Sequence, residues 1–241
     1  MKKLQLLLAV SILFLASSCK KDTEAAATYT CATCKTTPDA LAANDGSSKG
    51  IYKGVIIGST GTITFNIANN GTTITAVMVI DGVIVNLTSA VTWVSGQPYV
   101  ADFTGTLNGS PVTIRFSVGL SGGTPTVTTS SIPGHPGASF TIIKETSSNL
   151  VEAFEGTYHT TRPEDGTFNI ILSRTLAGWS YIARKNGDIT STSGSGTISG
   201  NTLIDPSQPG LVFGTLSGDN LIGSFQDSGN RTVTISGRRT L

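Results

Sequence analysis

From Gly50 onward, apolar and polar positions alternate with a period of two. Ile63, Phe65 and Ile67 fall on one side of an extended chain, while Thr62, Thr64 and Asn66 fall on the other. Val112, Ile114, Phe116 and Val118 alternate in the same way with Thr113, Arg115 and Ser117. Phe168, Ile170 and Leu172 repeat the pattern, as do Val233 and Ile235. This period predicts half-buried β-strands. Asn70-Gly71, Asp81-Gly82, Asn108-Gly109, Asn186-Gly187 and Gly218-Asp219 punctuate the runs. These dipeptides tolerate the positive φ values of tight hairpin loops. The predicted fold is therefore all-β, an antiparallel meander. Two runs, Ala76–Ile80 and Val83–Val85, are apolar on both faces. They are expected to be strands buried on both sides or strands lining a cavity.

The meander occurs twice. Gly50-Ile51-Tyr52 followed by Gly61-Thr62-Ile63-Thr64-Phe65 is matched by Gly156-Thr157-Tyr158 followed by Gly166-Thr167-Phe168. Phe103-Thr104-Gly105-Thr106-Leu107 resembles Phe213-Gly214-Thr215-Leu216. The expected repeats are residues 49–145 and 151–241, joined near Thr146–Leu150. Each has room for roughly seven or eight strands of usual length. Closing such a sheet removes its exposed edges. Two small barrels, or one larger barrel or sandwich built jointly, satisfy the pattern.

Residues 20–48 have neither period. They are rich in Ala, Thr, Ser, Asp and Lys and poor in large apolar residues, a composition expected of a flexible tether. Ahead of them, Lys2 and Lys3 precede the apolar stretch Leu4–Ala16. That stretch is shorter than the roughly 20 residues needed to span a membrane as a helix. It fits the apolar region of a signal peptide over residues 1–18.

Leu15-Ala16-Ser17-Ser18-Cys19 resembles the lipobox of bacterial lipoproteins. The resemblance implies cleavage before Cys19, a thioether-linked lipid on its sulfur, and membrane attachment through that anchor. Lys20-Lys21-Asp22-Thr23-Glu24 resembles the export signal of Bacteroidota surface lipoproteins. That likeness implies an outer-membrane location with display outside the cell. The Gly-Thr-Tyr and Gly-Thr-Phe strand openings look like the calycin-type β-barrel repeats of lipoproteins from the same group, which implies barrels able to hold a small ligand.

Charge narrows the function classes. Charged residues are 13% of the chain, against about 25% in an average protein. Without residues 1–18 the chain carries 14 basic and 15 acidic side chains. That balance gives no electrostatic footprint for nucleic acid.

Candidate chemistry is sparse. Cys31-Ala32-Thr33-Cys34 has C-x-x-C spacing. A disulfide between Cys31 and Cys34 is the simplest reading in an oxidising compartment. An intermolecular bridge and a metal or redox site are the alternatives. Lys35 stands where covalent haem attachment would need His, and a zinc site would need further ligands. His135 lies in the turn Pro133-Gly134-His135-Pro136-Gly137, and His159 lies on a predicted strand. No metal or cofactor is expected. Gly119-Leu120-Ser121-Gly122-Gly123 has the spacing of a nucleophile elbow, but a strand rather than a helix follows it. No nucleophile–base pair supports a hydrolase.

Trp93, Tyr99, Trp179 and Tyr181 are the candidate ligand-binding aromatics. Trp179 and Tyr181 are two residues apart and share one face of a strand. Exposed, they would form a stacking platform for a sugar ring; buried, they would fill the core. The expected function is a non-enzymatic binding module for a small apolar or glycan ligand. A structural or protein-interaction role is the alternative.

Overall fold

The computed structural model describes residues 29–241 apart from Ser59, Thr60, Pro163 and Pro209. Cys19 and the proposed signal peptide lie outside the described residues. Two eight-stranded antiparallel sheets follow one another along the chain. The first contains β1 (Gly50–Ile57), β2 (Gly61–Ile67), β3 (Ile74–Ile80), β4 (Val83–Thr88), β5 (Tyr99–Leu107), β6 (Ser110–Val118), β7 (Thr126–Ser131) and β8 (Ser139–Glu145). The second contains β9 (Glu152–Thr160), β10 (Asp165–Ser173), β11 (Gly178–Lys185), β12 (Thr192–Ser199), β13 (Thr202–Asp205), β14 (Leu211–Ser217), β15 (Asn220–Gln226) and β16 (Thr232–Arg239).

Both sheets are up-and-down meanders whose last strand returns to pair with the first. The second closes fully, whereas the first leaves β7 and β8 as unpaired neighbours. The Pro-Gly-rich loop 132–138 spans that seam. Its Ile132 is buried in the first core, and His135 faces the Gly58 carbonyl and the Asp81 carboxylate.

The duplication is one of topology, and strand pairing corrects the residue matches read from sequence. Phe168 lies opposite Gly156, and Ile63 lies opposite Gly54. Gly156 is therefore equivalent to Gly54, four residues beyond Gly50. Phe103–Leu107 lies on the fifth strand of its sheet, whereas Phe213–Leu216 lies on the sixth of the other. Their likeness reflects similar hairpins at opposite barrel ends.

Each barrel has its own apolar interior, and a third cluster joins them. Val55 and Ile57, on the outer face of β1, pack against Val151, Ala153, Ile171 and Ile182. The Asn169 side-chain amide, buried in the same contact, donates to the Ile56 carbonyl at 2.5 Å. Every residue of β1 is consequently buried. This corrects the expectation for Ala76–Ile80 and Val83–Val85. Their inner residues fill the first barrel, but Val77 and Ile84 point outward and are exposed. The strand covered on both sides is β1, because the second barrel packs against it.

The outer face of β1 also carries Lys53, only 3% exposed. Its ammonium meets Glu145 Oε2 at 2.6 Å and Asp39 Oδ2 at 3.6 Å. Glu145 is completely buried. It also accepts from the backbone N–H groups of Asp39, at 2.7 Å, and Val151, at 3.2 Å. A buried charge needs such a set of partners to offset its lost hydration.

Residues 29–48 differ from the expected flexible tether. They form a strap across one end of both barrels. Tyr29 donates to the Arg239 carbonyl, and the Cys31 N–H donates to Asp219 Oδ2 at 2.8 Å. Cys31 and Cys34 are disulfide-bonded to each other. On the first barrel, Asn69 accepts from the Leu41 N–H and the Asn44 amide, and donates to the Asp39 carbonyl. Asp45 accepts from the backbone and hydroxyl of Ser147 in the joint. The short 3-10 turn Ala42–Asn44 plugs the barrel end. There the Lys144 ammonium donates to the carbonyls of Asn44 (2.7 Å), Asp45 (3.0 Å) and Ser47. Burial lowers the Lys144 pKa, partly countered by the charge of Asp45. Composition alone pointed to a tether because polar side-chain contacts, rather than apolar burial, hold this segment.

Two stability predictions follow from these contacts. Replacing Glu145 by Ala should cost about 3–5 kcal/mol in urea denaturation, because Lys53 is left buried beside a weaker partner. The double variant Lys53→Met, Glu145→Leu should recover most of that loss. A single-variant cost within 0.5 kcal/mol of zero, the usual range for a neutral surface change, would remove Glu145 from its structural role. In the second barrel, a Cβ on Gly196 would lie 2.1 Å from the Ile204 carbonyl oxygen and 2.6 Å from Trp179 Nε1. Gly196→Val should therefore destabilise by about 1–3 kcal/mol or more and shift the Trp179 fluorescence. Gly123→Ala, where a Cβ meets open space, should stay within about 0.5 kcal/mol of wild type.

Candidate functional site

The two barrels use their interiors differently. In the first, Tyr52, Phe65, Phe103 and Phe116 are fully buried and pack ring against ring. Their centroids are separated by 4.3 Å for Phe65–Phe116 and 5.0 Å for Phe65–Phe103. The strap and Lys144 close one end of this filled interior.

In the second barrel, large inward side chains on β9–β11 face glycines on the adjacent strands. Trp179 pairs with Gly196, Tyr181 with Gly194, Phe168 with Gly156, and Tyr158 with Gly166. A Cβ at Gly194 would lie 2.5 Å from the Tyr181 ring, and one at Gly166 would lie 2.3 Å from the Tyr158 ring. The missing side chains let the rings lie flat along the wall instead of projecting to the axis. Trp179, Tyr181, Phe213 and Phe225 form a continuous run of overlapping rings. The centroid distances are 5.8 Å for Trp179–Tyr181, 5.2 Å for Tyr181–Phe213 and 5.0 Å for Phe213–Phe225, with interplanar angles of 27°, 30° and 29°.

Trp179 lies at the deep end, 3% exposed, with its indole N–H facing the carbonyls of Thr197 and Ile204. Above it the barrel opens into a cavity of about 380 Å³. Tyr158, Phe168, Tyr181, Phe213 and Phe225 line this cavity, together with Leu211, Val233 and Ile235. Thr160, Glu164, Thr192, Asp205, Ser207, Gln208, Asp227 and Arg231 form polar positions around it.

Arg231 is held between two carboxylates. Its Nε lies 2.6 Å from Asp227 Oδ2 and its Nη1 lies 3.0 Å from Glu164 Oε2. Asp227 also accepts from the backbone N–H groups of Gly229 and Arg231. The Arg231 backbone bond is the leading cause of a carboxyl pKa below the usual aspartate value. The Tyr158 hydroxyl donates to Glu164 Oε1 at 3.3 Å. Burial, followed by the charge and hydrogen bond of Glu164, pushes the Tyr158 pKa up to about 12. Burial also raises Tyr181, with a further contribution from the charge of Asp205. Both phenols are therefore neutral at physiological pH and available as hydrogen-bonding groups. Asp205 itself accepts from the backbone N–H and hydroxyl of Ser207 through Oδ1.

The four candidate aromatics separate into two places. Trp179 and Tyr181 belong to the second barrel, with Tyr181 on the cavity wall and Trp179 beneath it. Trp93 and Tyr99 lie at the plugged end of the first barrel. The Trp93 indole donates to Ser48 Oγ at 2.8 Å, and Lys49 Nζ stands 5.0 Å from its ring centroid. Tyr99 is buried and donates to the Val91 carbonyl at 3.0 Å. Trp93 helps secure the strap, whereas Tyr99 holds the loop between β4 and β5.

Sequence reasoning missed Tyr158, Phe168, Phe213, Phe225 and Arg231 as cavity residues. A signal for part of the wall was present in Gly194-Ser195-Gly196, whose spacing of two matches Trp179-Ser180-Tyr181. Among the described residues, no group of three or more His, Cys, Asp or Glu side chains is placed to hold an ion. No protein-family model matches the chain, and no curated protein or solved structure does so either.

Proposed function

We propose that the second barrel is a non-enzymatic binding module that receives a small apolar or glycan ligand in its open end. The observation carrying this reading is the coexistence of two closely similar folds with one filled interior and one open, aromatic-walled interior. Ring faces suit either apolar groups or the CH face of a sugar, while Tyr158, Gln208 and the hydroxyls at the rim offer hydrogen bonds. A mostly apolar concavity with a few polar groups is the usual form of a small-molecule site. The lipobox-like sequence at Cys19 supports a second part of the proposal: a lipid-anchored protein of the cell envelope, attached to the outer membrane and displayed at the surface. The barrel repeats fit the calycin-like lipoprotein resemblance.

A protein-interaction role is the second reading. It draws on the unpaired edge of β7 and the exposed outward positions Val77 and Ile84. An open strand edge can accept another strand.

Titrating the full chain with aryl glycosides and short alkyl glycosides should give saturable quenching of intrinsic fluorescence. Phe213→Ala and Tyr181→Ala should each weaken binding about tenfold, in line with the loss of a ring contact worth about 1–1.5 kcal/mol. Trp93→Phe should leave the affinity unchanged. Absence of saturable binding across both ligand classes would defeat the glycan form of this reading. Separately, labelled palmitate should enter the wild-type chain in a bacterial host that acylates lipoproteins, and Cys19→Ser should abolish incorporation. Unaltered labelling in that variant would rule out Cys19 as the anchor.

A further inference from the structure

We infer that the open end of the second barrel selects an organic cation, a positively charged amine or quaternary ammonium on a small apolar body, with Asp205 as its counter-ion. This deepens the proposed function and rests on the cavity being a ligand site.

Charge pairing at the opening distinguishes Asp205 from its neighbours. Glu164 and Asp227 both pair with Arg231, and Lys185 lies 3.9 Å from Glu164. Asp205 has no cationic partner among the described residues. Its bonds from Ser207 both fall on Oδ1 and fix the carboxylate in place. A ligand carrying a positive charge would supply the missing partner.

The ring geometry favours the same chemistry. Tyr181, Phe213 and Phe225 form a stacked run of rings that lines a partly enclosed space. Aromatic faces attract cations, and the attraction grows when water is excluded. The charge of Asp205 is felt at Tyr181, where it contributes to the raised phenol pKa. Carboxylate and ring therefore act on the same region of the cavity.

The opening is correspondingly unfavourable to anions. Arg231 is the sole basic residue lining the cavity among the described residues, and its guanidinium already bonds two carboxylates. An anionic ligand would meet three carboxylates, Asp205, Glu164 and Asp227, beside one cation that already pairs with two of them. The cavity volume, about 380 Å³, is near the lower end of the ~300–1,000 Å³ range of ligand pockets. It suits a single ring or a short alkyl body bearing the charge.

Isothermal titration calorimetry of the full chain can test the assignment with three probes of similar size. Phenethyltrimethylammonium carries the cation, (3,3-dimethylbutyl)benzene replaces its nitrogen by carbon, and 3-phenylpropionate carries an anion. The cation should bind about tenfold more tightly than the neutral probe, as expected for a partly desolvated cation over aromatic faces. The anion should bind most weakly. Asp205→Asn keeps the side-chain oxygen facing Ser207 and should reduce the cation's advantage to about twofold or less, an effect expected from removing the counter-ion. If that variant does not fold, the salt dependence of wild type decides: raising NaCl should weaken the cation but not the neutral probe. Equal binding of cation and neutral probe, or tighter binding of the anion, would overturn the cation assignment while leaving the binding-module reading intact. Failure of all three probes, together with failure of the glycosides, would overturn that underlying reading as well.

Discussion

The buried carboxylate of Glu145 joins four parts of the chain. It belongs to the last strand of the first barrel, pairs with Lys53 on the first strand, and accepts from Asp39 in the strap and Val151 at the entry to the second barrel. None of these contacts is interchangeable with water, because the carboxylate is fully enclosed. The apolar contacts of Val55 and Ile57 with Ile171 and Ile182 supply attraction between the barrels. Polar bonds supply direction: Lys53 and Glu145 lie on paired strands of the first barrel, and a rotation at the contact would pull the Val151 N–H from Glu145 and the Asn169 amide from the Ile56 carbonyl. Hydrophobic burial is nondirectional, so these two bonds orient one barrel on the other.

Above that shared foundation, one architecture produces two interiors. The first barrel packs its aromatics ring against ring and uses the strap and Lys144 to cover an end. The second places glycines opposite Tyr158, Phe168, Trp179 and Tyr181, so that the rings lie against the wall. Packing in the first barrel favours solidity; glycine opposite aromatic in the second leaves a volume bounded by flat faces. The same meander thus separates a structural core from a candidate receptor.

Much of the fold was legible because period-two patterning is local. Ile63–Ile67 and Val112–Val118 revealed their strands, and Asn108-Gly109 revealed a hairpin. The topological duplication was also visible, although Gly50 and Gly156 were not its equivalent positions. β1 was harder to read, because its outward face acquires a cover only when residues 151–182 pack against it. The packed strap was similarly hidden: Asn69, Glu145 and Asp219 hold it from positions far away in sequence. At the candidate site, Trp179 and Tyr181 could be paired by spacing. Joining them to Phe213, Phe225 and Arg231 required the curvature and closure of the barrel, which one strand's sequence does not encode.

The course of the strap gives the molecule a mechanical polarity. Its first contacts, through Tyr29 and Cys31, grip the end of the second barrel that carries Asp219. The cavity opens at the other end, around Asp205 and Asp227, separated by roughly 20 Å of strand. Tension applied to the chain upstream of Tyr29 would load the gripped end and turn the aperture away from the pulling point. In a protein held from that side, the route of the backbone itself would aim the cavity outward.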